Sequence, residues 1–246
     1  EAVRLTHGVV PLLGAFCLSG LALAADPSTP TLEVGRYVSD GDWGTLQIKR
    51  VGKTTTFEID AMGGNCHVCS LSGVVQANVG VVQDESVTNP AEQCKVSFKS
   101  MDGGWLVEPQ TNEACRNYCG MRATFEGVYN VAPTQCLPKQ QQSTRKQFLA
   151  LYKAKQFAQA RDMLAGLLSQ CSRFINWIAI DQIRNDLALA QYHAGDSNAC
   201  LQTLAATRAG LEKESEFWLP PCDHDNYIAT AKATWHNQKL CGKPGP

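Results

Sequence analysis

The sequence predicts an α+β protein: a small antiparallel β-barrel or sandwich followed by an all-α part made of helical hairpins. Three observations lead there. Before Val131 the chain carries eight short period-two or β-rich runs, with Gly, Asp and Asn clustered between many of them. After Val131-Ala132-Pro133 the composition switches to Gln, Ala and Leu at helical spacing. Ten of the eleven cysteines lie beyond residue 60, an even set that reads as a disulfide framework.

In chain order, residues 1–24 read as a signal peptide. Arg4 precedes an apolar run from Val9 to Leu23, and Ala22-Leu23-Ala24 supplies the small residues that cleavage after Ala24 requires. That run is short for a membrane span and contains Pro11. Cys17 follows Phe16, where a lipobox needs a small residue, so lipidation is not expected. Residues 25–31, including Asp26-Pro27-Ser28-Thr29-Pro30, form an extended leader. The expected location is periplasmic or secreted.

Residues 32–133 form the predicted disulfide-containing β domain. Its strands are expected at 32–39, 43–50, 54–59, 67–71, 74–82, 94–100, 105–108 and 121–129. Between them lie turn clusters such as Ser39-Asp40-Gly41-Asp42 and Met101-Asp102-Gly103-Gly104. Trp43, Leu46, Ile48, Phe57, Ile59 and Val68 alternate with polar neighbours, as half-buried strands require.

Residues 134–246 form the helical domain. Ser143 or Thr144 is the expected cap of a helix reaching about Ala154, followed by helices near 157–169, 176–193, 197–211 and 226–240. A shift of 40 residues lays Leu149-Ala150-x-Tyr152-x-Ala154 on Leu189-Ala190-x-Tyr192-x-Ala194, and Leu164-Ala165 on Leu204-Ala205. Ala160 and Cys200 also align, where paired helices approach closely. Over about Phe148–Arg208 this pattern resembles the tetratricopeptide (TPR) family, with Ala154-Lys155-Gln156-Phe157-Ala158-Gln159-Ala160 similar to its turn and second helix. The chain departs from that family in its longer period and in having two copies. The resemblance implies peptide or protein binding without catalysis.

Charge excludes some partners. Twenty-two basic residues against 23 acidic ones leave no global field for nucleic acid. The balance is uneven, however: residues 25–135 carry 8 basic and 13 acidic side chains, and residues 136–246 carry 13 and 9.

The ten cysteines fall as Cys66, Cys69, Cys94, Cys115 and Cys119 in the first half and Cys136, Cys171, Cys200, Cys222 and Cys241 in the second. Five on each side is odd, so full pairing demands at least one bridge between the halves. Cys69–Cys94, a local Cys115–Cys119 clip and Cys66–Cys136 are the expected pairs. Cys66-His67-Val68-Cys69 is the one CxxC, but no helix follows it to activate a thiol, which argues against redox catalysis. Cys66, Cys69, Cys115 and Cys119 have zinc-like spacing, which oxidation in an exported chain outcompetes.

Gly195-Asp196-Ser197-Asn198 resembles the Gly-Asp-Ser block of SGNH esterases, which would make Ser197 a nucleophile with His224 as base. The late Asp-x-x-His of that family is missing, and a helix turn capped by Asp196 or Ser197 explains the block. Cys222-Asp223-His224-Asp225 reads as a disulfide-pinned loop with Asp225 capping the last helix, in preference to a metal site. No GxSxG, HExxH, P-loop or dinucleotide fingerprint occurs, so no cofactor is expected. Trp177, Trp218 and Trp235 are expected to be buried packing residues.

The resulting expectation is a non-enzymatic periplasmic binding protein with a protein or peptide partner in the cell envelope, of the kind that inhibits or gives immunity to an envelope enzyme. In size and oxidised β half it is similar to periplasmic lysozyme inhibitors, although their motif residues are missing. An SGNH-like hydrolase and a CxxC thiol oxidoreductase are the alternatives.

Overall fold

The computed structural model describes residues 31–243. The predicted signal peptide, Cys17 and all but the last residue of the leader lie outside the described residues. Strands β1 (Gly35–Ser39), β2 (Gly44–Val51), β3 (Thr54–Met62), β4 (Val68–Gln76), β5 (Val79–Val82), β6 (Lys95–Met101), β7 (Gly104–Pro109) and β8 (Gly127–Asn130) run as an antiparallel meander. Each pairs with the next, and β1 meets β8 through Val38↔Asn130 and Ser39↔Tyr129, closing a barrel and leaving no sandwich edge.

Alternation along each strand fills the interior. Leu46 and Ile48 of β2 face inward beside Ile59 and Phe57 of β3, while Lys49 and Glu58 point out and pair at 3.2 Å. The Tyr129 hydroxyl, buried at the barrel end, donates to the Phe125 carbonyl at 2.8 Å, and burial raises its pKa.

Three strand expectations change. The 74–82 run is broken at Ala77 and Asn78, whose φ values of 48° and 61° form a two-residue left-handed turn between β4 and β5. Cys69 and Leu71 take the inward register of β4, which turns Val68 outward to 53% exposure. Of the 121–129 run only β8 is strand, and a short helix, α1 (Asn112–Arg116), precedes it. The side chain of Thr111 anchors that region: its hydroxyl accepts from Lys95 N–H and donates to the Gln93 carbonyl.

Helices α2 (Pro138–Lys153), α3 (Phe157–Cys171), α4 (Trp177–His193), α5 (Ser197–Ala205) and α6 (Pro221–Cys241) follow. Helix α2 begins well before the expected Ser143 or Thr144 cap and α6 before the expected Asp225 cap, because Pro138 and Pro221 open them with a preset φ and no N–H to satisfy. Asn176 and Asp196 cap α4 and α5 by accepting from the N–H groups of Ala179 and Ala199. Helix α5 stops at Ala205, short of the expected 211, and Ala209–Leu211 is a separate 3-10 turn.

Two helix-connecting turns lie forty residues apart. Lys155 and Gly195 take φ of 59° and 88° at equivalent turns. Gln156 N–H donates to Leu151 and Asp196 N–H to Gln191, both at 2.9 Å. Behind the turns, Ala160, Cys200, Leu164 and Leu204 are all fully buried.

A polar network closes the helical core. Asp181, 2% exposed, accepts from the Tyr227 hydroxyl and Arg208 N–H at 2.7 Å each and from Arg184 at 2.9 Å. Asn185 donates to Thr234, and Asn237 donates to Asn185. Every member is paired, so the network fixes α6 against α4 at no cost in orphaned polar groups.

Barrel and helices meet directly. Val38 of β1 is buried within the helical core beside Cys136, Phe148 and Phe174. Asp40 accepts from Arg173 at 2.5 Å, and Gly41 N–H donates to the Arg173 carbonyl at 2.7 Å.

Candidate functional site

The far end of the β3–β4 connection makes a second junction with the helices. Gly63 has no room for a side chain, since a Cβ there would lie 2.0 Å from the Arg122 carbonyl oxygen. Asn65 and Cys66 then adopt left-handed backbone with φ of 55° and 57°, lifting a loop off the barrel toward the N-terminus of α6. Asn65 N–H donates to Asp223 Oδ2 at 2.8 Å, and Asn65 Oδ1 accepts from Cys222 N–H at 2.9 Å. A disulfide joins Cys66 to Cys222 across 156 residues of chain. The Asn226 amide donates to Cys66 Sγ at 3.3 Å and stands 3.7 Å from Cys222 Sγ.

This pairing corrects the expected Cys66–Cys136 bridge. Cys136 instead bonds Cys171, because the turn Thr134–Cys136 packs on the end of α3. Cys69 pairs with Cys119 and not Cys94: Ser70 N–H donates to Tyr118 and Gly120 N–H to Val68, laying residues 118–120 alongside β4. Cys94, next to β6, is reached from α1 by Cys115, so the Cys115–Cys119 clip does not form. Cys200 and Cys241 tie α5 to the end of α6. Four bridges therefore lie within the barrel or within the helices, and Cys66–Cys222 alone crosses between them.

The alternative sites do not assemble. Cys66 and Cys69 hold different partners, so the CxxC is not itself a redox pair, and all four cysteines of the zinc alternative are oxidised. Among the described residues no cluster of three or more His, Cys, Asp or Glu side chains could hold a metal ion. Cys222-Asp223-His224-Asp225 is the first turn of α6 and not a loop, and His224 faces Asp225 at 3.4 Å. Ser197 lies three residues from Cys200, which is bonded to the far end of α6. His224 is 17 residues back along that helix, about 25 Å at 1.5 Å per residue, so the two do not meet. Trp235 is buried as expected, but Trp177 and Trp218 are 42% and 69% exposed.

Beside this Cys66–Cys222 junction, hereafter the clasp, a groove of about 370 Å³ lies on the barrel wall. Trp43, Ala61, Met62 and Val68 make its apolar walls, with Asp42, Asp60 and Ser70 at its margin. Met62 and Val68 are cross-strand partners and both more than half exposed. Met121, the next residue after the Gly120–Val68 hydrogen bond, is 81% exposed. Ser70 Oγ donates to Asp60 at 2.8 Å, and burial against the groove raises the Asp42 carboxyl above its ordinary value despite nearby Arg36. Sequence reasoning missed the groove because Val68 was placed inward; counting the register from Cys69 would have found it.

Five disulfides are consistent with an exported protein, and among the described residues no helix is long and apolar enough to cross a membrane. Compared with protein-family models, curated proteins and solved structures, the chain matches none.

Proposed function

We propose that this is an exported, non-enzymatic protein of the periplasm that binds a protein partner of the cell envelope through the groove beside the clasp. The observation that carries the reading is the cross-strand pair Met62 and Val68, exposed apolar side chains lining an apolar recess on a disulfide-stabilised barrel. Soluble proteins gather such residues where a partner covers them, and flexible methionines suit an anchor side chain from outside. On this reading the helices are a two-repeat array of TPR-like hairpins that helps to hold the partner. An envelope hydrolase whose activity is blocked by occupancy of the groove is the partner class that fits an inhibitor or immunity role.

A photo-reactive residue at Val68 tests this. Crosslinking in intact periplasm should give one adduct, and titration of the identified, purified partner should show binding that Met62→Asp with Val68→Asp weakens at least about 100-fold. A photo-reactive residue at exposed Leu149 of α2 is the control. No adduct at Val68, or unchanged binding by the double variant, would overturn the proposal.

A further inference from the structure

We infer that the Cys66–Cys222 bridge is a thiol–disulfide exchange site, taking a protein or small-molecule dithiol as substrate and uncoupling the barrel from α6 when reduced. The inference does not depend on the groove.

Accessibility sets this bridge apart. Cys66 and Cys222 are both half-buried, whereas every other bridge has at least one cysteine no more than 1% exposed, and three have both in that state. An attacking thiolate therefore meets less covering structure at this bridge than at the buried ones. Location is the second distinction. Reduction here breaks the one disulfide between the two parts and leaves two bridges inside the barrel and two inside the helices. The loop is also held against preference: Asn65 and Cys66, neither a glycine, sit consecutively in left-handed backbone that the clasp maintains.

The chemistry of leaving favours Cys222. It lies in the first turn of α6, a helix of 21 residues, where the helix dipole stabilises a thiolate. The Asn226 amide, already near both sulfurs, can donate to it. Asp223 opposes this, but its carboxylate is engaged by Asn65 N–H.

In the first step the thiolate of the dithiol forms a bond to Cys66 Sγ as the Cys66–Cys222 bond breaks, and the electron pair leaves on Cys222. The second thiol of the reductant gives up its proton and attacks its own sulfur in the mixed disulfide. Cys66 leaves as thiolate. Cys66 and Cys222 each take up one proton, and the dithiol is oxidised to its disulfide, with two electrons transferred in all.

The test is graded reduction of the intact oxidised chain with dithiothreitol, followed by quenching with iodoacetamide and peptide mapping. Cys66 and Cys222 should be alkylated together, at least about tenfold faster than any other cysteine. Glutathione, a monothiol, should give a trapped adduct on Cys66. Asn226→Leu should slow reduction several-fold with the fold intact by circular dichroism. Alkylation of Cys69, Cys119 or any other pair before or together with Cys66 would overturn the exchange site, and an adduct on Cys222 would overturn the assigned leaving sulfur. In the reduced protein, protease cleavage should concentrate at residues 63–67 and 216–222; an unchanged cleavage pattern would show that reduction does not uncouple the two parts.

Discussion

The two junctions between barrel and helices differ in almost every physical respect. At the first, Val38 of β1 is 3% exposed inside the helical core, with Arg173 clamping the Asp40-Gly41 turn beside it. At the second, the contact is polar and half-exposed: a lifted loop, paired hydrogen bonds between Asn65 and the start of α6, and a disulfide. Packing of the first kind is lost only with the fold. A clasp of the second kind can open while both parts stay folded. The difference gives the molecule one permanent attachment and one that chemistry can release.

Substitutions at the two junctions separate them. The largest effect is expected from Val38→Asp, which puts a charge into the helical core and should cost about 3–5 kcal/mol in urea unfolding. Replacing Cys66 and Cys222 together with Ser should cost about 2–4 kcal/mol and leave the far-ultraviolet circular dichroism spectrum unchanged. If the double Ser variant is the more damaging of the two, the roles of the junctions are reversed. Asn65→Ala removes the hydrogen bond to Cys222 and leaves a left-handed alanine, for about 1–2 kcal/mol; Asn65→Gly should cost less because glycine accepts that backbone. Arg173→Ala removes an exposed ion pair and should cost no more than about 1 kcal/mol, less at high salt.

The groove adds a pH-dependent term. Because burial raises the Asp42 pKa in the folded state, its protonated form favours folding, so its contribution is present at acid pH and is lost as pH rises through the folded pKa. Asp42→Asn should therefore flatten the fall in stability across the upper carboxylate range. Equal pH slopes in the two proteins would place Asp42 in free solvent.

Much of the fold was legible because it rests on local patterns. Turn clusters at 39–42 and 101–104 and the alternation in β2 and β3 locate those strands, and the change to helical spacing after Pro133 locates the start of the helical part. Pairing of cysteines was not legible in the same way. Odd numbers on each side required a bridge between the halves, yet its second member depended on where α6 begins. Pro221, a good first helical residue, opens the helix four residues ahead of Asp225, the cap expected from the sequence. The helix N-terminus that the CxxC motif lacks in sequence is supplied by α6, brought to Cys66 from the other end of the chain. No local reading of Cys66-His67-Val68-Cys69 could find it. Likewise Val68 was one residue out of register, and with period-two strands one residue moves a side chain from core to solvent.

The most direct measurement is peptide mapping of the oxidised chain without reduction. The structure requires a peptide containing Cys66 joined to one containing Cys222, with Cys69 joined to Cys119. A Cys66–Cys69 or Cys66–Cys136 linkage would remove the clasp and with it the contrast between the two junctions.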